Sequence, residues 1–294
     1  MGNATWSVSD YSTRSATYSS QTREQVFHQR RIKKEFDPAL ITMRESCDSD
    51  ENPESTAIIV GLDVTGSMGF IAEHIAKNGL GTLVESIIDR KPVSDPHMMM
   101  MAIGDIMTDR APLQVTQFEA DIRIADQLTE LWLEGGGGGN QFESYDLPWA
   151  FAAHKTKIDC FDKRGKKGYL FTIGDELPPT SGNKRQLKES LGITLQADTK
   201  AAEHLAEAQM QYEVFHIIVE EGHYASRRGD IVKKDWTKLL GKRAISLNNY
   251  KFISEVITSV IEVNEGADPT DVIEQWQDSA AKDAVRYSLF GSAQ

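Results

Sequence analysis

Cysteine is nearly absent: Cys47 and Cys160 are the two in 294 residues, one on each side of the loop DVTGSMG. Two such distant residues build neither a disulfide framework nor a CxxC zinc site, and they read as free thiols in a reducing compartment. Long hydrophobic runs are missing as well. No window reaches the roughly 20 apolar residues of a membrane span, and MGNATWSVSDYSTRSATYSS lacks the apolar stretch of a secretory signal. Positive charge is in deficit, with 32 Lys and Arg against 44 Asp and Glu for a net charge of -12. That balance repels phosphate backbones and anionic lipid, so nucleic acid and membrane are not expected as partners. The expectation is a soluble cytoplasmic chain, or a component of a particle assembled inside the cell.

What is present is core material. Hydrophobic residues make up 40% of the chain, enough for one large α/β domain with appendages. Residues 1–54 carry a Ser/Thr/Tyr-rich start, a basic run (Arg30, Arg31, Lys33, Lys34) and an acidic close, CDSDENPES. Such a segment buries too little apolar area to fold alone, so it is expected to be a flexible arm or one ordered by a partner. Residues 55–264 then form the domain, and 265–294 a helical tail.

Within the domain, AIIVGL from Ala57 is a continuous branched apolar run, the mark of a strand buried on both faces of a parallel sheet. Ile71, Ile75, Leu83, Val84, Ile87 and Ile88 recur at helical steps, although Gly79 and Gly81 weaken that helix. MMMMAIGD and LQVTQF read as two strands joined by a hairpin, the methionines as core filler. Ile122 to Leu133 reads as a helix, and the glycine-rich EGGGGGNQFESYDLPWAFAAH as a loop feeding another. KKGYLFTIGDE is a strand ending in acids, AAEHLAEAQMQ a helix and YEVFHIIVEE a strand. Helix (Ile231 to Leu240), short strand (Arg243 to Leu247) and helix (Phe252 to Val263) complete the pattern. The fold class that follows is α/β: a doubly wound, mostly parallel six-stranded sheet with one antiparallel edge strand and helices on both faces.

Ligands in such sheets bind at the carboxyl ends of the strands. Three polar loops fall there: Asp63-Val64-Thr65-Gly66-Ser67, Gly135 to Ser144, and Gly174-Asp175-Glu176. A carboxylate and two hydroxyls at alternate positions of an extended turn point three oxygens to one place, and oxygen is what Mg²⁺, Mn²⁺ or Ca²⁺ takes. Taken singly, each residue has a plainer use: Thr65 or Ser67 as a helix cap, Asp175 as a turn former.

DVTGSMG after an apolar strand resembles the DxSxS signature of von Willebrand factor A domains, with Thr65 keeping the hydroxyl of the first serine. The resemblance spans residues 57–264. It implies a metal-ion-dependent adhesion site, in which hydroxyls and aspartates hold a divalent cation and one coordination position stays open for an acidic side chain of a partner. Carried over by residue, Asp63, Thr65 and Ser67 match the first loop and Asp175 the last. The middle loop departs from the usual pattern, which has a threonine after its glycines. GGGGGNQFES resembles instead a GGG-[DN]-x-x-E-[SA] variant of some intracellular members, with Asn140 in the threonine's place and Glu143 or Ser144 as alternatives. Gly66, Met68, Gly139, Glu143 and Glu176 surround the open position and would meet the partner. The expected cofactor is Mg²⁺, with Mn²⁺ or Ca²⁺ as alternatives.

Other motifs carry less. The five glycines lack the Gly-Lys-Ser/Thr of a phosphate-binding loop. Arg228-Gly229-Asp230 is a three-residue chance match, and His216 sits inside an apolar strand as a core residue. Glu220, Glu221 and His223 read as a solvated loop, and Lys163, Arg164, Lys166 and Lys167 as an exposed connection.

Three functional readings follow. The first is a non-catalytic, metal-dependent module that captures Asp or Glu of a partner protein; intracellular relatives of this type work with AAA+ ATPases or within larger assemblies. The second is a structural protein of a particle, with Trp6, Trp276 and Tyr287 as interface anchors. The third is a Mg²⁺-dependent phosphohydrolase with Asp63 as nucleophile. That chemistry wants a second acid two residues on, where Thr65 stands, and a basic residue to neutralise phosphate, so no enzyme is expected.

Overall fold

The computed structural model describes residues 6–66, 68–136 and 142–291. Six strands form the main sheet, numbered here in chain order: β1 (Thr56–Asp63), β2 (Pro96–Ile103), β3 (Leu113–Val115), β4 (Gly168–Gly174), β5 (Tyr212–Val219) and β6 (Ala244–Leu247). Their spatial order is β6-β5-β4-β1-β2-β3, parallel except for β3, which runs antiparallel to β2. This is the sheet expected from the sequence, with its hairpin pairing Met101 to Val115 and Ile103 to Leu113.

Period-two alternation on strands buried on both faces explains the apolar runs. Ile58, Val60 and Leu62 enter the core on one side of the sheet while Ala57 and Ile59 enter the other. The methionine run divides the same way, Met98 and Met100 to one core and Met99 and Met101 to the other, every one buried. Among the described residues no helix is long and apolar enough to cross a membrane.

The helices needed below are α1 (Val8–Ser19), α2 (Leu80–Arg90), α3 (Asp146–Lys155), α4 (Ala201–Ala208), α5 (Ala225–Leu240) and α6 (Ile253–Asn264). The two glycines that weaken the helical pattern have a local use. Gly79 closes a π-helical turn, Ile75–Gly79, ahead of α2. At Gly81 a Cβ would overlap the ring of Tyr11, so the missing side chain makes room for α1.

Residues 6–54, expected to be a flexible arm or one ordered by a partner, pack against the domain. Tyr11 is buried against Gly81, Arg14 makes a two-pronged bond to Asp126, and Arg44–Ser46 pairs in parallel with Thr156–Ile158. The segment needs no core of its own because the domain supplies one. The basic connection serves the same attachment: Lys163 and Arg164 bond to Asp48, and Arg164 also donates to the Ser55 carbonyl. Trp276 and Tyr287 also turn inward. The Arg90 guanidinium lies 4.3 Å above the Trp276 ring, whose Nε1 donates to Ser259, while the Tyr287 hydroxyl donates to Glu220.

Candidate metal centre

Asp63 is the last residue of β1, and Asp175 directly follows β4 on the neighbouring strand, where Leu62 and Ile173 are in register. Both carboxylates thus emerge at one end of the sheet. The Asp63 side chain is fully buried and held from two directions. Its Oδ1 accepts from the backbone N–H of Thr65 at 3.0 Å and from the Thr65 hydroxyl at 2.6 Å, and its Oδ2 accepts from the Tyr145 hydroxyl at 2.9 Å. Tyr145 precedes α3, and its ring packs edge-on against His216 and Trp236, at centroid distances of 4.9 and 5.5 Å. A Cβ on Gly174 would overlap the Tyr145 hydroxyl, so glycine at the end of β4 is what lets the phenol reach Asp63.

The other loops close on the same place. The N–H of Gly66 donates to the carbonyl of Gly136 at 2.9 Å, joining the first loop to the glycine-rich one, and Phe142 forms a bridge with Leu177 beyond Glu176. Asp175 Oδ2 accepts from the N–H of Tyr224 at 2.7 Å, while its Oδ1 is buried without a hydrogen-bond partner among the described residues. Glu143, 2% exposed, and Glu176 each bury one carboxylate oxygen, Oε2, in the same unsatisfied condition.

Electrostatics record the crowding. Burial raises the pKa of Asp63, with the charge of Asp175 adding to it. Burial raises Glu143 as well, reinforced by Asp63, Glu176, Asp105 and Asp109. Glu176 is pushed up to about 8 by burial, then by the charges of Asp63, Asp175 and Asp105. Among the described residues no lysine or arginine forms an ion pair with Asp63, Glu143, Asp175 or Glu176. Unpaired buried carboxylate oxygens are costly unless a proton or a cation satisfies them. Oxygen donors of this kind suit hard divalent cations.

The residues anticipated from sequence are distributed as follows. Asp63, Thr65 and Asp175 come together, and they are joined by Glu143, which is buried, and Glu176, which is partly buried. Gly66 is exposed at the rim, whereas Met68 is fully buried in the core and presents no side chain outward. Ser67, Gly139 and Asn140 lie outside the described residues. Ser144 is spent on the fold, its Oγ accepting from the N–H of Ile106 at 2.9 Å. Asp105 and Asp109 escaped the sequence reading. Asp105 follows β2 in the motif Ile103-Gly104-Asp105, the same strand-Gly-Asp pattern that marked Asp175, and this could have revealed it. The rim also contains arm residues: Arg23, Glu24 and Arg30 share a cleft with Thr65, Gly66 and Gly135.

No family model matches the chain, and no curated protein does. Among solved structures it is similar to the pilus adhesin SpaC from Lactobacillus rhamnosus GG in its open conformation, with a TM-score of 0.49 and 11% identity over 74% of this chain and 31% of that one. It is also similar to a von Willebrand factor type A protein from Catenulispora acidiphila, with a TM-score of 0.38 and 13% identity over 73% of this chain and 44% of the other. The chain thus spans less than half the length of either. At these identities the likeness concerns the fold alone.

Proposed function

We propose that the chain is a von Willebrand factor A-type binding module that holds a divalent cation, Mg²⁺ in the cell, at the loop of Asp63, Thr65 and Ser67 and uses it to capture an acidic side chain of a partner protein. One observation carries this reading: the carboxylates of Asp63, Glu143, Asp175 and Glu176 converge at the carboxyl end of the sheet with three buried oxygens lacking a partner among the described residues. In it Asp63 and Thr65 hold the ion, Asp175 supports it from β4, and Asn140 or Glu143 supplies the middle loop's donor.

When bound, the cation supplies a positive point with an open position that an Asp or Glu from outside can fill. The chain's own part is preorganisation. Tyr145 and Thr65 fix the rotamer of Asp63 before any ligand arrives, and a charge-assisted contact at one point orients a partner whose remaining contacts lie on surrounding loops. Binding is favoured over catalysis because Thr65 stands where an aspartyl phosphotransfer site needs a second acid. The partner class supported by the resemblance is an AAA+ ATPase or a component of an intracellular assembly.

The test is a pull-down from source extract with wild type and Asp63→Ala, each with and without chelator. The expected result is a partner captured by wild type in Mg²⁺ and lost both with chelator and with the variant, while the variant keeps its circular dichroism spectrum. A variant that retains every partner overturns the proposal.

A further inference from the structure

A second set of ligand atoms lies away from the carboxylate centre, where α3 and α4 pack against each other. His154 stands in the last turn of α3, nine residues beyond Tyr145, or about 13 Å along the helix axis. His204 and Glu207 lie three residues apart on α4 and so share a face of it. His154 Nε2 is 2.9 Å from Glu207 Oε2, and His204 Nδ1 is 3.7 Å from the same oxygen. The three ligand atoms all fall within 4.8 Å of one another.

The buried histidine indicates what belongs there. His204 is 1% exposed, and its Nδ1 has no hydrogen-bond partner among the described residues. Its Nε2 meets the Thr199 hydroxyl at 2.7 Å, and that hydroxyl lies 3.4 Å from the Gly182 carbonyl. In the tautomer whose Nε2–H donates to Thr199, the lone pair sits on Nδ1, on the side of the Glu207 carboxylate. A lone pair facing a carboxylate is repulsive unless a cation lies between them. A histidine whose far nitrogen donates to a fixed acceptor is also the usual arrangement of a metal ligand, because the outer bond sets the tautomer.

We propose that His154, His204 and Glu207 form a site for a zinc-class divalent ion that clips α4 to α3. Two imidazoles and a carboxylate are a borderline donor set that favours Zn²⁺ over Mg²⁺, unlike the all-oxygen centre around Asp63. Tetrahedral bonds of about 2.0–2.1 Å place ligand atoms roughly 3.3 Å apart, within the spread seen here. His154 and Glu207 have side chains 33% and 47% exposed, which gives an ion access from solvent and leaves a fourth position for water. The sequence conceals this site, since its ligands are divided between two helices and match no single-helix metal motif.

The test is competition of the full chain with a chromogenic chelator for Zn²⁺, and titration with Co²⁺ followed by visible absorption, both in excess Mg²⁺. One equivalent should bind, with the intense bands of a four- or five-coordinate Co²⁺ site. Affinity should fall more than about tenfold in His154→Ala and in Glu207→Gln, both at solvent-accessible positions, and be unchanged in Asp63→Ala. Equal Zn²⁺ affinity in wild type, His154→Ala and Glu207→Gln would overturn the proposal, as would the absence of protein-dependent Co²⁺ bands. Retention in Asp63→Ala separates this outcome from failure of the carboxylate centre.

Discussion

The hydroxyl of Tyr145 donates to Oδ2 of Asp63 at 2.9 Å, across 82 residues of sequence. It ties the entry of α3 to the carboxyl end of β1, and with Thr65 on the opposite oxygen it leaves the Asp63 carboxylate a single orientation. The phenol is buried and its pKa is raised well above the ordinary value, by burial first and then by the charges of Asp63, Asp175 and Glu143, so it stays protonated and remains a donor.

Tyr145→Phe removes that donor and keeps the ring against His216 and Trp236. Stability is expected to drop by about 1–3 kcal/mol, the cost of leaving a buried acceptor unsatisfied. Urea denaturation in chelator measures it, and an unchanged midpoint would show that the bond contributes nothing.

Gly174→Ala places a methyl on the Tyr145 hydroxyl and should displace the phenol from Asp63. The expected loss is about 1–3 kcal/mol of stability from overpacking, together with any Mg²⁺-induced rise in the thermal midpoint. Differential scanning calorimetry with and without Mg²⁺ reads both. Wild-type behaviour would mean that the strand end tolerates a side chain the geometry forbids.

The raised carboxyls make stability fall with pH when no divalent ion is present. Glu176, pushed up to about 8, and Glu143, raised further by its neighbours, keep protons in the folded state that the unfolded chain has released above pH ~5. Buried His97, His204 and His216 act in the opposite sense, because burial lowers their pKa, but above pH 7 they are neutral in both states. Between pH 7 and 8 in chelator the thermal midpoint should therefore decline, and Glu176→Gln should flatten the slope. Added Mg²⁺ should stabilise more at pH 8 than at pH 6, since protons compete for the same oxygens. A midpoint that rises from pH 7 to 8 in chelator contradicts the burial of these acids.

The attachment of the N-terminal arm rests on Tyr11 in the space over Gly81. Tyr11→Ala should cost roughly 2–4 kcal/mol, as large-to-small changes in a core do. Gly81→Ala should release α1 and speed tryptic cleavage at Arg14 and Arg23 while the sheet survives. Equal cleavage rates in wild type and Gly81→Ala would mean that the arm is not held there.

The sheet was legible in the sequence because strands buried on both faces write their pattern as continuous apolar runs, as at Ala57 to Leu62 and Met98 to Met101. The strand-end acids Asp63 and Asp175 were legible for the same reason, since each directly follows such a run. The arm was not, because its composition describes what it could do alone, whereas the pocket that takes Tyr11 is made by a glycine 70 residues further on. Nor was Tyr145: its polar partner is set by the packing of α3 against the sheet, and nothing local to Glu143-Ser144-Tyr145 announces it. The histidine site was hidden likewise, because His154 meets His204 and Glu207 only once two helices dock.

The most direct measurement is a Mn²⁺ titration followed by electron paramagnetic resonance, at pH 8 in a His154→Ala background that removes the second site. The wild-type loop should bind one Mn²⁺ that Mg²⁺ displaces, and Asp63→Ala and Asp63→Asn should leave the Mn²⁺ signal that of the free ion while circular dichroism stays unchanged. Mn²⁺ bound equally well without the Asp63 carboxylate would contradict a cation held at this end of the sheet.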